Sequence, residues 1–261
     1  MNIINSVNNQ KIKDMVKLQK AGERRARGLF IIDGAREIEL AKKSGTEISE
    51  LFYSPELIKK DVPDFFGLER DKIIEVSGAV FKKICYKENP DGYLAIAKVG
   101  VIKLKQIKLS KNPLIIVLEA VEKPGNLGAI LRTAFAAGAD AIIINSSQTD
   151  IYNPNVIRAS EGFIFSKPVV IASVEETLKW LEENKILSYA AATIGKNNYT
   201  KEKMDIPLAI VLGSEADGLS EKWLKMANKL VRIPMKKGID SLNVSVSAAV
   251  LIYEALRQRE I

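Results

Sequence analysis

The chain has 261 residues, of which 47% are hydrophobic and 27% charged, a composition typical of a soluble globular protein with one large or two smaller domains. It has no histidine and one cysteine, Cys85, which excludes the usual imidazole base, an internal disulfide and a cysteine-based zinc site. No apolar stretch approaches the ~18 residues that span a bilayer, and the N-terminus lacks the layout of a signal peptide. We therefore expect a cytoplasmic protein with no membrane and no metal partner.

The net charge is +7, and basic residues cluster at the start of the chain. The first 27 residues hold two acidic and seven basic side chains, the latter being Lys11, Lys13, Lys17, Lys20, Arg24, Arg25 and Arg27. Such a cluster fits a polyanion partner, although a solvated helix face explains it equally well. If the partner is RNA, we expect Lys11, Lys17, Arg24 and Arg25 to contact it.

A first α/β series occupies residues 1–99. "LFIIDG" (29–34) predicts a strand, and "AREIELAKKSG" (35–45) predicts a helix that Gly45 ends. "ISELFYS", "KIIEVSG" and "GYLAIAKV" predict further strands, with "AVFKKICY" as a helix between the last two. Residues 100–112, rich in lysine and without clear periodicity, are interpreted as a linker between domains.

A second series occupies residues 113–261. Its predicted strands are "LIIVLEAV" (114–121), "AIIINS" (141–146), "VVIA" (169–172), "SYAAAT" (188–193), "LAIVLG" (208–213) and "LVRIPM" (230–235). Helical segments separate most of them. This alternation predicts an α/β domain with a parallel sheet and helices on both faces.

Three predicted strand ends of the second series carry polar residues and glycines. They are "EKPGNLGAILRTAFAAG" (122–138), "GSEADGLS" (213–220) and "KKGIDSLNVSVSAAV" (236–250). Ligands bind beyond the carboxyl ends of strands in such sheets. Neither the dinucleotide fingerprint G-x-G-x-x-G nor a Walker phosphate loop is present. Taken singly, Arg132 is more typical of a structural ion pair, and Glu215 of a turn or cap.

Together these stretches resemble a known family. "NLGAILRTAFAAGAD", "IVLGSEADGLS" and "VRIPMKKGIDSLNVSVSAAV" are similar to the three motifs, in order, of the SpoU (TrmH-like) RNA 2′-O-ribose methyltransferases of the SPOUT superfamily. "LFIIDGAREIELAKKSG" and "NPDGYLAIAKV" resemble the small, ribosomal-protein-like substrate-binding domain of that family. The resemblance covers most of residues 25–261. It implies a C-terminal domain with a trefoil knot that binds S-adenosylmethionine and works as a homodimer.

The resemblance also implies roles for single residues. The catalytic candidates are Asn126, Arg132, Glu215, Ser241 and Asn243. The cofactor-binding candidates are Leu212, Gly213, Ile233, Met235 and Leu242. Ser214 stands where asparagine is frequent in the family, and Ser247 where alanine is more usual; neither change removes a chemical group on which the reaction depends.

The expected reaction is methyl transfer to a ribose 2′-hydroxyl in structured RNA, with ribosomal RNA favoured over transfer RNA. Arg132 stays protonated, so we expect it to hold a phosphate and stabilise the developing oxyanion. Two alternatives stay open. The chain could be a catalytically inactive RNA-binding or ribosome-assembly protein on the same fold, or an α/β enzyme that uses another nucleotide.

"SLNVSVSAAV" (241–250) has two interpretations of its own. Ser241 and Asn243 are good helix N-caps, which would make them purely structural. Given the resemblance, we favour a catalytic role for both.

Overall fold

The computed structural model describes residues 3–60, 62, 64–145, 149–238 and 240–259. These residues divide into two compact units. The first contains the chain up to Gly100 together with Asp150–Ser166, and the second contains Val101–Thr149 and the chain from Lys167 onwards. None of the described helices is long and apolar enough to cross a membrane.

The elements of the described residues follow in chain order. The helices are α1 (Gln10–Lys17), α2 (Ala21–Arg27), α3 (Ala35–Lys43), α4 (Gly78–Ile84), α5 (Pro124–Ala136), α6 (Pro154–Ala159), α7 (Val174–Glu183), α8 (Glu221–Met226) and α9 (Val244–Gln258). The strands are β1 (Leu29–Asp33), β2 (Ile48–Tyr53), β3 (Ile73–Glu75), β4 (Tyr93–Lys98), β5 (Leu114–Glu119), β6 (Ala141–Asn145), β7 (Val169–Ile171), β8 (Leu187–Ala191), β9 (Asn197–Asn198), β10 (Leu208–Leu212) and β11 (Lys229–Arg232).

Every strand predicted from the sequence is present, with shifts at the ends. β8 ends at Ala191 and β11 at Arg232, so the last residues of "SYAAAT" and "LVRIPM" are loop residues. Ser146, the last residue of the predicted strand 141–146, lies outside the described residues.

In the first unit, the described strands form a four-stranded sheet in the order β1-β4-β2-β3. β4 is antiparallel to both neighbours, whereas β2 and β3 are parallel. Helix α1 buries Ile12 and Met15, followed by Leu18, in the core beside Phe52 and Phe81. This spacing of three residues keeps one helix face in the core and turns the lysines between them outward.

In the second unit, the described strands form a seven-stranded sheet in the order β7-β6-β5-β10-β8-β11-β9, and every neighbouring pair is parallel. β5 and β10 lie at its centre and are buried along their whole length, which explains their unbroken apolar sequences. This is the predicted α/β fold; the knot stays a prediction.

Two segments belong to a different unit from the one that the predicted domain boundaries imply. Asp150–Ser166 falls within the predicted domain 113–261 but belongs to the first unit, where Tyr152 stacks on Phe30 with ring centroids 4.3 Å apart. The predicted linker 100–112 belongs, from Val101 onwards, to the second unit, where Ile107 is buried in the core that contains Trp223. In both segments, buried apolar side chains pack within the unit to which the segment belongs.

The end of α9 is fixed to the start of two central strands. Arg259 donates hydrogen bonds to the carbonyl oxygens of Asn112, Pro113, Met204 and Ile206 at 2.6–3.4 Å. Burial lowers the pKa of this guanidinium, but it stays charged and satisfies four carbonyls together. The C-terminal helix is thereby held against the segments that lead into β5 and β10.

Candidate functional site

A cavity of ≈ 410 Å³ lies in the second unit, where several parallel strands end. It is lined by residues 191–194, 212–219 and 240–242, with Leu224, Val231, Ile233, Met235, Val244 and Ser247. Most of these residues end or follow β8, β10 and β11, or precede and begin α9, and Leu224 lies on α8. All five predicted cofactor residues (Leu212, Gly213, Ile233, Met235 and Leu242) line this cavity, and so do Glu215 and Ser241.

The wall after β10 is a tight turn that requires glycine at position 213. A Cβ on Gly213 would lie 2.2 Å from the backbone carbon and oxygen of Gly218 and 2.5 Å from the nitrogen of Leu219. Ser214 and Gly218 exchange two backbone hydrogen bonds of 3.0 and 3.2 Å, which close the turn on itself. Gly213 is therefore needed for the turn's own packing, a reason separate from close approach to a ligand.

A chain of polar side chains connects the segments that follow β5, β10 and β11. The Asn126 amide donates to Oε1 of Glu215, whose Oε2 lies 3.4 Å from Nζ of Lys123. The Oδ1 of Asn126 accepts from Nδ2 of Asn243 at 3.3 Å. Asn126 thus contacts both Glu215 and Asn243, which connects three of the five predicted catalytic residues. We call these three residues the amide–carboxylate network.

Asn243 makes two contacts that bear on its two interpretations, as a helix cap or as a catalytic residue. Its Oδ1 accepts from the backbone nitrogen of Ser245 at 2.9 Å and so caps α9. Its Nδ2 donates to Asn126 at the same time. Because the amide has separate donor and acceptor atoms, one side chain caps the helix and also joins the network.

Arg132 lies on α5, six residues beyond Asn126. Six helical residues advance about 9 Å along the axis, and the Arg132 side chain is exposed. Ser241 is exposed and lines the cavity. These two predicted catalytic residues therefore lie on the surface of the second unit.

The lining combines apolar side chains with carboxylates. Glu215, Asp217 and Asp240 line the cavity, and none of its described lining residues is a lysine or arginine. Among the described residues, no group of three or more cysteine, aspartate or glutamate side chains could hold a metal ion. Because the described lining carries three carboxylates and no lysine or arginine, the cavity favours a positively charged ligand over a phosphate.

One wall of the cavity is formed by residues that were not predicted from the sequence. Ala192, Thr193 and Ile194 follow β8 and line it, and Ile194 is 68% exposed despite its apolar side chain. The rule that ligands bind beyond parallel strand ends applies to β8 as well. These residues have no charge or glycine that would have marked them.

The four predicted RNA-binding residues lie in the first unit and differ in their surroundings. Lys11 pairs with Glu50 and Lys17 with Asp14, in pairs open to solvent. Arg25 is exposed.

The structure contradicts the prediction that Arg24 contacts RNA. It is only 2% exposed, donates to the carbonyl of Leu18 at 2.6 Å and pairs with Asp150. A buried guanidinium held by an internal carboxylate cannot reach a phosphate, so we remove Arg24 from the RNA-binding set. Lys13 and Lys20 are exposed, and within the described residues neither takes part in an ion pair.

Known proteins are similar to this chain in sequence and in fold. The model of the SpoU rRNA methylase family matches residues 113–253, and that of the MRM3-like substrate binding domain matches residues 9–95. The chain is 29% identical to the 23S rRNA (guanosine(2553)-2′-O)-methyltransferase RlmP of Bacillus subtilis, over 97% of this chain and 98% of that protein.

Two crystal structures match nearly the whole chain. That of an RNA 2′-O ribose methyltransferase superposes with a TM-score of 0.85 and 39% identity, over 99% of both chains. That of an AdoMet-bound rRNA methyltransferase from Sinorhizobium meliloti gives a TM-score of 0.89 and 27% identity, over 98% of this chain and 97% of that one. The chain belongs to the SpoU rRNA methylase family.

Proposed function

We propose that this chain is an S-adenosylmethionine-dependent methyltransferase that methylates a ribose 2′-hydroxyl in ribosomal RNA. The observation that carries the proposal is the cavity formed by the Gly213 turn, with the amide–carboxylate network beside it. Family membership and the activities for which the relatives are named support the same reaction.

The cavity residues fit the cofactor. The volume of the cavity, ≈ 410 Å³, lies within the ~300–1,000 Å³ typical of small-molecule sites. Leu212, Ile233 and Leu242 offer apolar surface for an adenine ring. The lining carboxylates favour the positive sulfonium of S-adenosylmethionine and disfavour the phosphates of NAD or ATP. When bound, the cofactor supplies a methyl group on a good leaving group.

The protein's own side chains must then position and polarise the ribose. Arg132 holds a phosphate beside the reacting ribose, and its positive charge stabilises the negative charge that develops on the 2′-oxygen while the hydroxyl proton passes to water. Asn243 and Ser241 orient the ribose through hydrogen bonds. Glu215 holds the amide of Asn126 so that its oxygen faces Asn243.

The first unit binds RNA phosphates through exposed basic residues. We retain Lys11, Lys17 and Arg25, and add Lys13 and Lys20, all exposed on α1, α2 and their junction. The solvent-exposed ion pairs of Lys11 and Lys17 stabilise the fold little, so both side chains can exchange their carboxylates for phosphates.

The homodimer is also part of the proposal. Val246 and Tyr253 of α9 are 48% and 50% exposed, and they lie two turns apart on the helix that packs against α5. An apolar pair of this kind suits a subunit contact. Sedimentation of the wild type and of a Val246→Glu/Tyr253→Glu variant tests it. A cytoplasmic location follows from the RNA substrate and is proposed with it.

The decisive experiment combines the purified chain, methyl-labelled S-adenosylmethionine and an unmodified 23S ribosomal RNA transcript. We expect label on a single ribose 2′-oxygen; absence of transfer to the transcript and to ribosomal subunits would contradict the proposal.

Thermal unfolding with S-adenosylhomocysteine, NAD or ATP tests the cofactor separately, since a ligand at ~100 times its Kd adds about 2.7 kcal/mol of stability. Mapping ribose methylation in a deletion strain then identifies the nucleotide.

A further inference from the structure

We propose that Lys123 binds a backbone phosphate of the RNA beside the reacting ribose, and so acts as a substrate-binding residue of the second unit. The inference rests on the proposed function. It assigns a role to a side chain that the sequence motifs did not single out.

The first observation is the place of Lys123. It immediately precedes α5, three residues before Asn126, and its Nζ lies 3.4 Å from Oε2 of Glu215. The amide–carboxylate network therefore has one ammonium group at its end. A ribose that the network orients has phosphates on both its 3′ and 5′ sides, within reach of groups that border the network.

The second observation is that this ammonium group is available. The Lys123 side chain is 72% exposed, against 24% for Glu215. The other oxygen of Glu215 already accepts from Asn126, so the carboxylate keeps a partner if Lys123 turns away. An exposed ion pair adds little net stability, whereas contact with a polyanion also releases counterions.

The third observation is the charge around it. The neighbouring cavity is lined by Glu215, Asp217 and Asp240, which repel a phosphate backbone. A cation at the border of this acidic region allows the RNA strand to approach the reacting atoms while the cavity itself stays selective for a cation. Lys123 has the charge and exposure for that task.

The test compares Lys123→Gln with a matched control. Lys225 of α8 has the same 72% side-chain exposure and pairs with Glu221 at 2.6 Å, and neither residue belongs to the network. Lys225→Gln therefore removes the same charge from the same unit. The probe is an unmodified 23S ribosomal RNA transcript, and binding and methylation are measured from 50 to 300 mM salt.

For Lys123→Gln we expect KM for the transcript to rise about fivefold, and the slope of log affinity against log salt to fall by about 0.7–0.9, the value of one phosphate contact. Turnover at saturating RNA and affinity for S-adenosylhomocysteine should stay within twofold of the wild type. Lys123→Arg should restore the slope, and Lys225→Gln should leave slope and KM unchanged.

An unchanged slope in Lys123→Gln overturns the inference, and so does a loss of turnover at unchanged KM, because Lys123 would then act only through Glu215. An equal change in Lys225→Gln overturns it too, since the effect would reflect net charge alone. If the wild type transfers no methyl group to RNA, the proposed function has failed instead, and the two failures are distinguishable.

Discussion

Asn243 donates its amide to Oδ1 of Asn126 over 3.3 Å while its own oxygen caps α9. The start of the C-terminal helix and the first turn of α5 are thereby joined by one side chain. A substitution at Asn243 therefore affects both stability and the proposed reaction, and the two effects can be separated by the choice of replacement.

Asn243→Ser keeps a capping oxygen but loses the amide donor. Serine caps helices about as well as asparagine, so we expect the free energy of unfolding to stay within about 0.5 kcal/mol. Methyl transfer should fall at least about tenfold, or ~1.4 kcal/mol, because the amide that donates to Asn126 and is proposed to orient the ribose is lost. Asn243→Ala should lose about 1 kcal/mol of stability in addition. A serine variant that methylates at the wild-type rate would reduce Asn243 to a helix cap.

Arg132→Ala should lose transition-state stabilisation without losing the cofactor. By analogy with removal of an oxyanion donor, we expect a loss of about 2–4 kcal/mol in kcat/KM, measured with the 23S transcript. Affinity for S-adenosylhomocysteine should stay within a few-fold of the wild type. Arg257→Ala, at an exposed arginine of α9 paired with Glu254, is the control. Near-normal turnover in Arg132→Ala would remove it from the catalytic set.

Gly213→Ala should abolish cofactor binding, because the new Cβ would lie 2.2 Å from backbone atoms of Gly218 and force the turn apart. Gly45 is the comparison: its φ of +82° disfavours a side chain, but no atom lies within 4 Å of a Cβ placed there. Gly45→Ala should therefore cost about 1 kcal/mol of stability and bind normally. Calorimetric titration with S-adenosylhomocysteine measures both; equal effects would show that the Gly213 turn does not form the site.

Arg24→Ala should destabilise the first unit rather than change RNA binding directly. It removes a buried guanidinium and leaves Asp150 and the Leu18 carbonyl without it, at a cost on the order of 3 kcal/mol. Denaturant unfolding measures this, with the exposed Arg25→Ala as the control that should unfold normally. A stable Arg24→Ala variant with a reduced salt dependence of RNA binding would restore the original assignment of Arg24 to the RNA-binding set.

Neutralising Lys13, Lys20 and Arg25 together should instead flatten the salt dependence of RNA binding at unchanged stability.

The sequence determined the strands and the chemistry of their ends. The apolar runs of β5 and β10 are local signals, and parallel pairing brings their carboxyl ends to one side of a sheet. The three segments that contain Asn126, Glu215 and Asn243 could therefore be predicted at one edge of the sheet, although they are far apart in the chain, and the family resemblance singled out these residues within them. The family resemblance implied the five cofactor residues, whose role stays a prediction, and the structure places all five in the lining of one cavity.

Only the tertiary structure decided which polar side chains are buried and which loops line the cavity. Arg24 and Arg25 are adjacent and chemically identical, yet one pairs with Asp150 inside the first unit and the other faces solvent. Ile107 in the predicted linker and Ile194 after β8 show the same limit, since one is buried in a core and the other borders the cavity. Local periodicity specifies which face of an element is apolar, but burial depends on partners more than a hundred residues away, which no local pattern encodes.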